Sequence, residues 1–318
     1  MNELDELSNL VQVVFFSKNS KVEPMRFVDY FKSGGKPVIS FEIFPPKTDQ
    51  GMNKLLESIP ELIALRPDYI TVTYGAMGTT REKTLEIASL IKNRYGMETA
   101  CHLTCVGSSQ DDLDDLLGRI LDSGIRNIVA LRGDPPKGEA RFNPHLKGYS
   151  HGSELVNHIR RFERKRGDIP LGIAVAGYPE KHIEAPNLEI DIANLKRKVE
   201  AGGDLIITQL FLDNIYFFYF VKRARSVGIS APIVPGLMPI MSVKQIKRIT
   251  SMCGSNIPPS LQQELDKAGE DDEEASDIGV KQCIRQAQEL LLRGAQGIHF
   301  YVLNKSNQMR RIMEALKR

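Results

Sequence analysis

Residues 99–133 read TACHLTCVGSSQDDLDDLLGRILDSGIRNIVALRG. Two apolar runs, 99–106 and 127–133, flank a stretch at 110–122 with helical spacing. Runs that are apolar almost throughout mark strands covered on both faces, as in a parallel sheet roofed by helices. The unit repeats outward in both directions. Upstream strands are expected at 38–44 (VISFEIF) and 69–75 (YITVTYG). Downstream they are expected at 171–178 (LGIAVAGY), 205–210 (LIITQL), 233–238 (IVPGLM) and 297–303 (GIHFYVL). Helical patterns fill the gaps at 50–65, 80–95, 152–165, 189–201, 213–227, 242–253 and 279–294. In the first, Met52, Leu55, Leu56, Ile59, Leu62 and Ile63 recur at spacings of three and four, the signature of one buried helix face. Each strand with its helix takes roughly 30 residues, the size of a βα unit. Eight units in series predict an α/β fold, a (β/α)8 TIM barrel over residues 25–318 behind an N-terminal extension, 1–24. An open doubly wound sheet would more naturally carry a glycine-rich nucleotide fingerprint. Neither G-x-G-x-x-G nor a Walker A loop occurs in the sequence.

Composition narrows the function classes. The 318 residues are 42% hydrophobic and 26% charged, with a net charge of +2. That excludes a collagen, a disordered chain and a disulfide scaffold. It also leaves no global field to draw nucleic acid or an anionic membrane. Cys101, Cys105, Cys253 and Cys283 form no C-x-x-C pair, and no His/Cys cluster has zinc spacing, so no metal is expected. Free thiols fit a reducing, cytoplasmic compartment. No apolar stretch approaches the ~20 residues of a membrane span, and the acidic start (Glu3, Asp5, Glu6) is unlike a signal peptide. Two segments break the rhythm. Residues 134–151 form a long loop after the fourth strand, where function often resides. Residues 254–278 carry five consecutive acids, Glu270 to Glu274, read as a solvated acidic linker.

Barrel enzymes place their chemistry at the C-terminal strand ends. On strand one, Glu42 lies among apolar neighbours, where desolvation should raise its pKa and make it a general acid near neutral pH. The plainer alternative is an ion pair with a buried arginine. Thr73 ends strand two, where a β-branched strand filler is the simpler reading. His102 on strand three reads as a core histidine or a functional one. Strand four ends Arg132-Gly133-Asp134: glycine permits close approach by a ligand, and Asp134 either polarises a bound heterocycle or pairs with the arginine. Strand five ends near Tyr178, followed by His182 and a helix bearing Asp191, Asn194, Arg197 and Lys198 along one face. That face suits a ribose and phosphates, but on residues alone it reads as solvated charge. Gln209 on strand six matches an amide-like ring or a backbone-satisfying role. His299 on strand eight reads as structural. No strand carries a lysine, which disfavours a Schiff-base aldolase. No HExxH occurs, which disfavours a metal hydrolase. The remaining set suits an organic cofactor.

Taken in order, FEIFPP (41–46), TYGA (73–76), HLTC (102–105), LRGD (131–134), YPE (178–180), NLKRK (194–198), TQ (208–209) and HFY (299–301) resemble the methylenetetrahydrofolate reductase family in its single-barrel form. The resemblance covers roughly residues 25–316 and implies a flavoprotein oxidoreductase of one-carbon metabolism that supplies methionine biosynthesis. A nicotinamide cofactor, NADH or NADPH, would reduce FAD and leave. 5,10-Methylenetetrahydrofolate would then take the same site, a ping-pong cycle that yields 5-methyltetrahydrofolate. By the same matching, Glu42 is the general acid and Asp134 the carboxylate beside flavin and pterin. FAD contacts fall on Thr73, His102, Arg132, Gly133, Asp134, Tyr178, His182, Asp191, Asn194, Arg197 and Lys198. Folate contacts fall on Glu42, Asp134, Gln209 and Lys305. A homo-oligomer is expected.

Two departures from the family pattern stand out. Lys305 replaces an arginine expected to meet the folate tail, keeping the charge but losing the bidentate fork. The segment 239–243 (PIMSV) lacks the aromatic often found there. That absence keeps a second reading open, a flavin- and folate-binding subunit fed by an electron-transfer partner protein. A lyase acting on a phosphorylated sugar is the rival from another barrel class.

Overall fold

A computed structural model describes residues 25–32, 35–74, 80–134 and 142–317. Eight parallel strands close into one barrel in sequence order. They are β1 (Val38–Ile43), β2 (Tyr69–Val72), β3 (Thr99–Thr104), β4 (Asn127–Leu131), β5 (Gly172–Gly177), β6 (Leu205–Leu210), β7 (Ile233–Leu237) and β8 (Gly297–Tyr301). Closure between β1 and β8 runs from Val38↔Gly297 to Glu42↔Tyr301. It settles the choice against an open sheet. The helices around it are α1 (Asp49–Ala64), α2 (Thr80–Tyr95), α3 (Gln110–Asp122), α4 (Gly152–Lys165), α5 (Leu188–Glu200), α6 (Asn214–Ser226) and α7 (Val243–Cys253). Three more complete the ring: α8 (Pro259–Ala268), α9 (Asp272–Leu292) and α10 (Ser306–Ala315).

The alternation of each strand divides the core in two. Outward residues such as Phe41, Ile43, Leu103, Val175 and Phe300 pack against the helices. Inward residues of the lower barrel (Val38, Tyr69, Ala100, Val129, Ala174, Leu205, Ile207 and Val234) form a separate apolar layer. A short 3-10 turn, Phe27–Phe31, plugs that end. Phe27 is fully buried, meets the Tyr69 ring at 5.0 Å, and donates its amide to Asn127 Oδ1 at 2.8 Å. The plug therefore comes from the first described residues, whereas the extension expected at 1–24 lies outside them. Higher in the barrel the inward positions turn polar: Ser40, Glu42, Thr71, His102, Thr104 and His299 are all buried. A sealed apolar floor beneath a polar upper interior is the layout of a barrel with chemistry at its C-terminal end.

The acidic run is not a linker. Residues 259–268 form α8, and the acids open α9: the Asp271 side chain accepts from the amides of Glu273 and Glu274, and Asp272, Glu273 and Glu274 occupy the first turn. These acids are solvent-exposed, as expected. Their negative charge faces the unpaired N–H groups of the helix start, where it is favourable. Behind them Leu261, Leu265, Ala268 and Ala275 join Leu210, Leu212, Met238, Ile240 and Ile246 in a small satellite core. Ile240, in the segment without an aromatic, is buried there.

Candidate active site

Glu42 sits inside the upper barrel with 5% of its surface exposed. Its partners are two imidazoles rather than an arginine. His299 Nε2 lies 3.0 Å from Glu42 Oε2 and His102 Nε2 lies 3.1 Å from the same oxygen. The Thr71 hydroxyl donates to that oxygen at 3.2 Å. Behind His299, which is fully buried, Ser40 Oγ meets Nδ1 at 2.8 Å. Burial pushes the Glu42 carboxyl up, but the charge and hydrogen bonds of His102 and His299 outweigh it and hold the carboxyl below the usual carboxylate range. This reverses the shift expected from apolar neighbours. The sequence neighbours of Glu42 point outward to the helices, and the groups that set its charge come from β3 and β8. His299, read as structural, is thus a direct partner of the candidate acid. Ser40 and Thr71, hydroxyl residues on buried strands, carry no signal of this role in the linear sequence.

Two packing details fix the neighbouring strand ends. The Asn304 side chain brackets Phe44, accepting from its amide at 3.0 Å and donating to its carbonyl at 2.9 Å. That clamp joins the end of β8 to the end of β1, next to Glu42. Tyr301 reaches across to donate its hydroxyl to the Thr208 carbonyl at 2.7 Å. A β-carbon on Gly236 would strike that carbonyl and lie 2.9 Å from the Tyr301 hydroxyl oxygen. Gly236→Ala is therefore expected to cost about 2 kcal/mol or more of stability, readable as a lower midpoint in urea.

The second cluster joins the ends of β4 and β5 to α5. Asp191 is buried and accepts the His182 amide at 3.0 Å, and desolvation raises its pKa. His182 packs edge-on against Tyr178, with ring centroids 4.7 Å apart, and desolvation lowers its pKa. The Lys198 ammonium lies 5.5 Å over the Tyr178 ring and donates to the Ala176 carbonyl at 2.5 Å. Desolvation pushes Lys198 down to about 8, with Asp191 opposing only in part. Arg132 forms a two-pronged ion pair with Glu184 at 2.6 and 2.8 Å rather than with Asp134. Glu184 lies in an irregular segment where no motif in the sequence marks it.

The remaining residues fall at the rim. Thr73 is tied into the sheet, its hydroxyl donating to the Ile43 carbonyl at 3.3 Å. Gly133 has φ +89°, and a β-carbon there would meet Val106 at 2.6 Å, so the crowding comes from the neighbouring strand end. Asp134 is exposed at the end of β4. Asn194 accepts from Arg197 at 2.9 Å on the outer edge of α5. Gln209 folds back to accept the Leu210 amide at 2.8 Å. Lys305 is exposed after two consecutive left-handed residues, Leu303 and Asn304. Among the described residues no group of three His, Cys, Asp or Glu side chains has metal-binding geometry, and no helix is long and apolar enough to cross a membrane.

Comparison with known proteins bears directly on this arrangement. The methylenetetrahydrofolate reductase family model matches residues 27–317. The chain belongs to the methylenetetrahydrofolate reductase family. It is 36% identical over 282 residues to 5,10-methylenetetrahydrofolate reductase of Escherichia coli (strain K12), covering 89% of this chain and 91% of that one. It is 41% identical over 292 residues to methylenetetrahydrofolate reductase (NADH) 1 of Arabidopsis thaliana, covering 88% of this chain and 49% of that one. The chain thus spans about half the length of the plant relatives it matches. A solved Clostridium thermocellum protein, described as binding two copies of 5-methyl-5,6,7,8-tetrahydrofolic acid, shares the fold with a TM-score of 0.58 at 14% identity. It covers 89% of this chain and 94% of its own. The matched relatives thus include a bacterial reductase of similar length and plant reductases about twice as long.

Proposed function

We propose that this barrel reduces 5,10-methylenetetrahydrofolate to 5-methyltetrahydrofolate, with FAD as resident cofactor, a nicotinamide nucleotide as donor and Glu42 as general acid. The observation that carries the reading is the buried Glu42 carboxyl between two imidazoles in the upper barrel of a chain in this family. When bound, FAD supplies hydride transfer between nucleotide and folate.

The residues present fit that cofactor. The Lys198 ammonium has three donors, and one goes to the Ala176 carbonyl, which leaves a desolvated cation suited to a phosphate. Asp191 offers a buried acceptor for a ribose hydroxyl, and Arg132 a planar donor set. Thr73, His102, Gly133, Asp134, Tyr178, His182, Asn194 and Arg197 complete the proposed FAD contacts. Gln209, Asp134 and Lys305 are assigned to folate.

Proton delivery follows from the cluster. A carboxylate beside an imidazolium carries the same proton count as a carboxylic acid beside a neutral imidazole, so the proton belongs to the group as a whole. Covering the mouth with ligands removes water and favours the neutral form of the pair. Glu42 then presents a proton to the leaving nitrogen as the five-membered ring opens, and His299, steadied by Ser40, shares the load.

Binding of FAD should depend on pH with a defined sign. A phosphate beside Lys198 restores its pKa toward the ordinary value, so binding takes up a proton wherever the free protein has lost it. With that pKa near 8 in the unliganded protein, affinity is expected to be flat below pH 7 and to fall above pH 8, by up to about tenfold per pH unit. Flavin fluorescence titrations from pH 6.5 to 9.5 would show this, and a flat profile would contradict it. The donor is tested by anaerobic bleaching of the bound flavin. The plant relatives are named for NADH, which makes it the first donor to try. The lack of an aromatic in the segment 239–243 favours the electron-transfer subunit as second reading. Failure of both NADH and NADPH to bleach the flavin would select it.

A further inference from the structure

We propose that Glu184 is a positioning residue for the dinucleotide cofactor, aligning Arg132 with its carboxylate and His182 with its backbone amide. The inference rests on the FAD reading above and adds a residue to it. Arg132 and Glu184 lie at separate places in the chain: Arg132 directly follows β4, and Glu184 lies in the loop between β5 and α5. Their two parallel bonds, at 2.6 and 2.8 Å, fix the guanidinium plane as a single bond could not. The Arg132 guanidinium also lies over the Phe142 ring at 4.9 Å, and its Nε donates to the Gly133 carbonyl at 3.3 Å. Of its five N–H groups three are used among the described residues, which leaves two to offer a ligand.

The same residue acts on His182 through its main chain. The Glu184 amide donates to His182 Nδ1 at 3.1 Å. That nitrogen is therefore an acceptor, and the neutral ring carries its proton on Nε2. The His182 amide is held by Asp191 in turn. Glu184 thus couples a cation from β4 to an imidazole before α5, both assigned to FAD. Its carboxylate is also held below the ordinary range, mainly by the Arg132 hydrogen bonds, so the pair stays charged across the working pH range. A pre-set arginine loses less side-chain freedom when the cofactor binds.

The test uses the full flavin-loaded chain and reads FAD release on dilution as the rise of free-flavin fluorescence. Four proteins are compared: the parent, Glu184→Gln, Arg132→Ala and the double variant. Glu184→Gln keeps the size and the backbone amide and removes the charge. It is expected to weaken FAD binding about tenfold, Arg132→Ala by more, and the double variant by no more than Arg132→Ala alone. Such non-additivity marks action through Arg132, which a general loss of stability would not reproduce. Parent-like or tighter binding by Glu184→Gln would overturn the inference, as would fully additive losses. Wild-type FAD binding by Arg132→Ala would sink the cofactor role of Arg132 and this inference with it. A weakened Arg132→Ala beside an unaffected Glu184→Gln would sink only the role of Glu184.

Discussion

Glu42→Gln protein is expected to hold the proposed FAD normally and be reduced normally by the proposed nicotinamide donor, while folate reduction falls by about 10³-fold. The amide has the same shape and accepts the same hydrogen bonds, so the cluster of His102, His299 and Thr71 remains packed. What it lacks is a transferable proton, and a well-placed general acid contributes about 10²–10⁴ in rate. The measurement is single-turnover oxidation of pre-reduced enzyme by the folate, beside the rate of flavin reduction by the donor. Equal loss in both half-reactions would mean that the variant damages the site as a whole. Full folate turnover would remove Glu42 from its role.

Lys198→Met is expected to move stability and cofactor affinity in opposite directions. In the unliganded protein desolvation pushes the half-buried ammonium down to about 8 from an ordinary 10.5. The unfolded chain therefore binds more protons than the folded one between those values, and stability rises with pH across that window. Below pH 8 the burial penalty is fully present. Removing the charge at pH 7 should stabilise the apoprotein, on the order of 2 kcal/mol. The same change deletes the proposed phosphate partner and should weaken FAD binding about 10- to 100-fold. A thermal melt of flavin-free protein and a fluorescence titration together test both halves. A variant that is less stable and binds FAD normally would refute the account of Lys198 as a cation kept for its ligand.

The sequence made the barrel readable because parallel strands are covered on both faces, so each appears as an unbroken apolar run between amphipathic stretches. All eight strands begin and end within three residues of expectation, and β6 coincides with it. The chemistry around Glu42 was less readable. Its decisive partner His299 lies 257 residues away, and nothing in a linear reading says which inward positions share a level of the barrel. Only the register Ser40↔His299 and Glu42↔Thr71 brings them together. Glu184 was missed for a related reason: it lies in a loop with no periodicity, and its meaning comes from an arginine on another strand. The acidic run was misread because a block of charge looks alike in a linker and at a helix start. The apolar spacing after it, Ala275, Val280, Cys283 and Ala287, was the signal that separates the two.

The Phe27 plug sets a limit on how far this protein can be shortened. Phe27 fills the floor of the barrel, Tyr30 donates to the Asp68 carbonyl at 3.1 Å, and Asn127 grips the Met25 carbonyl at 2.7 Å. A truncation beginning at Met25 would keep every one of these attachments. One that begins after Phe31 would pull the stopper from the drain, letting solvent reach Tyr69 and the apolar rings above it.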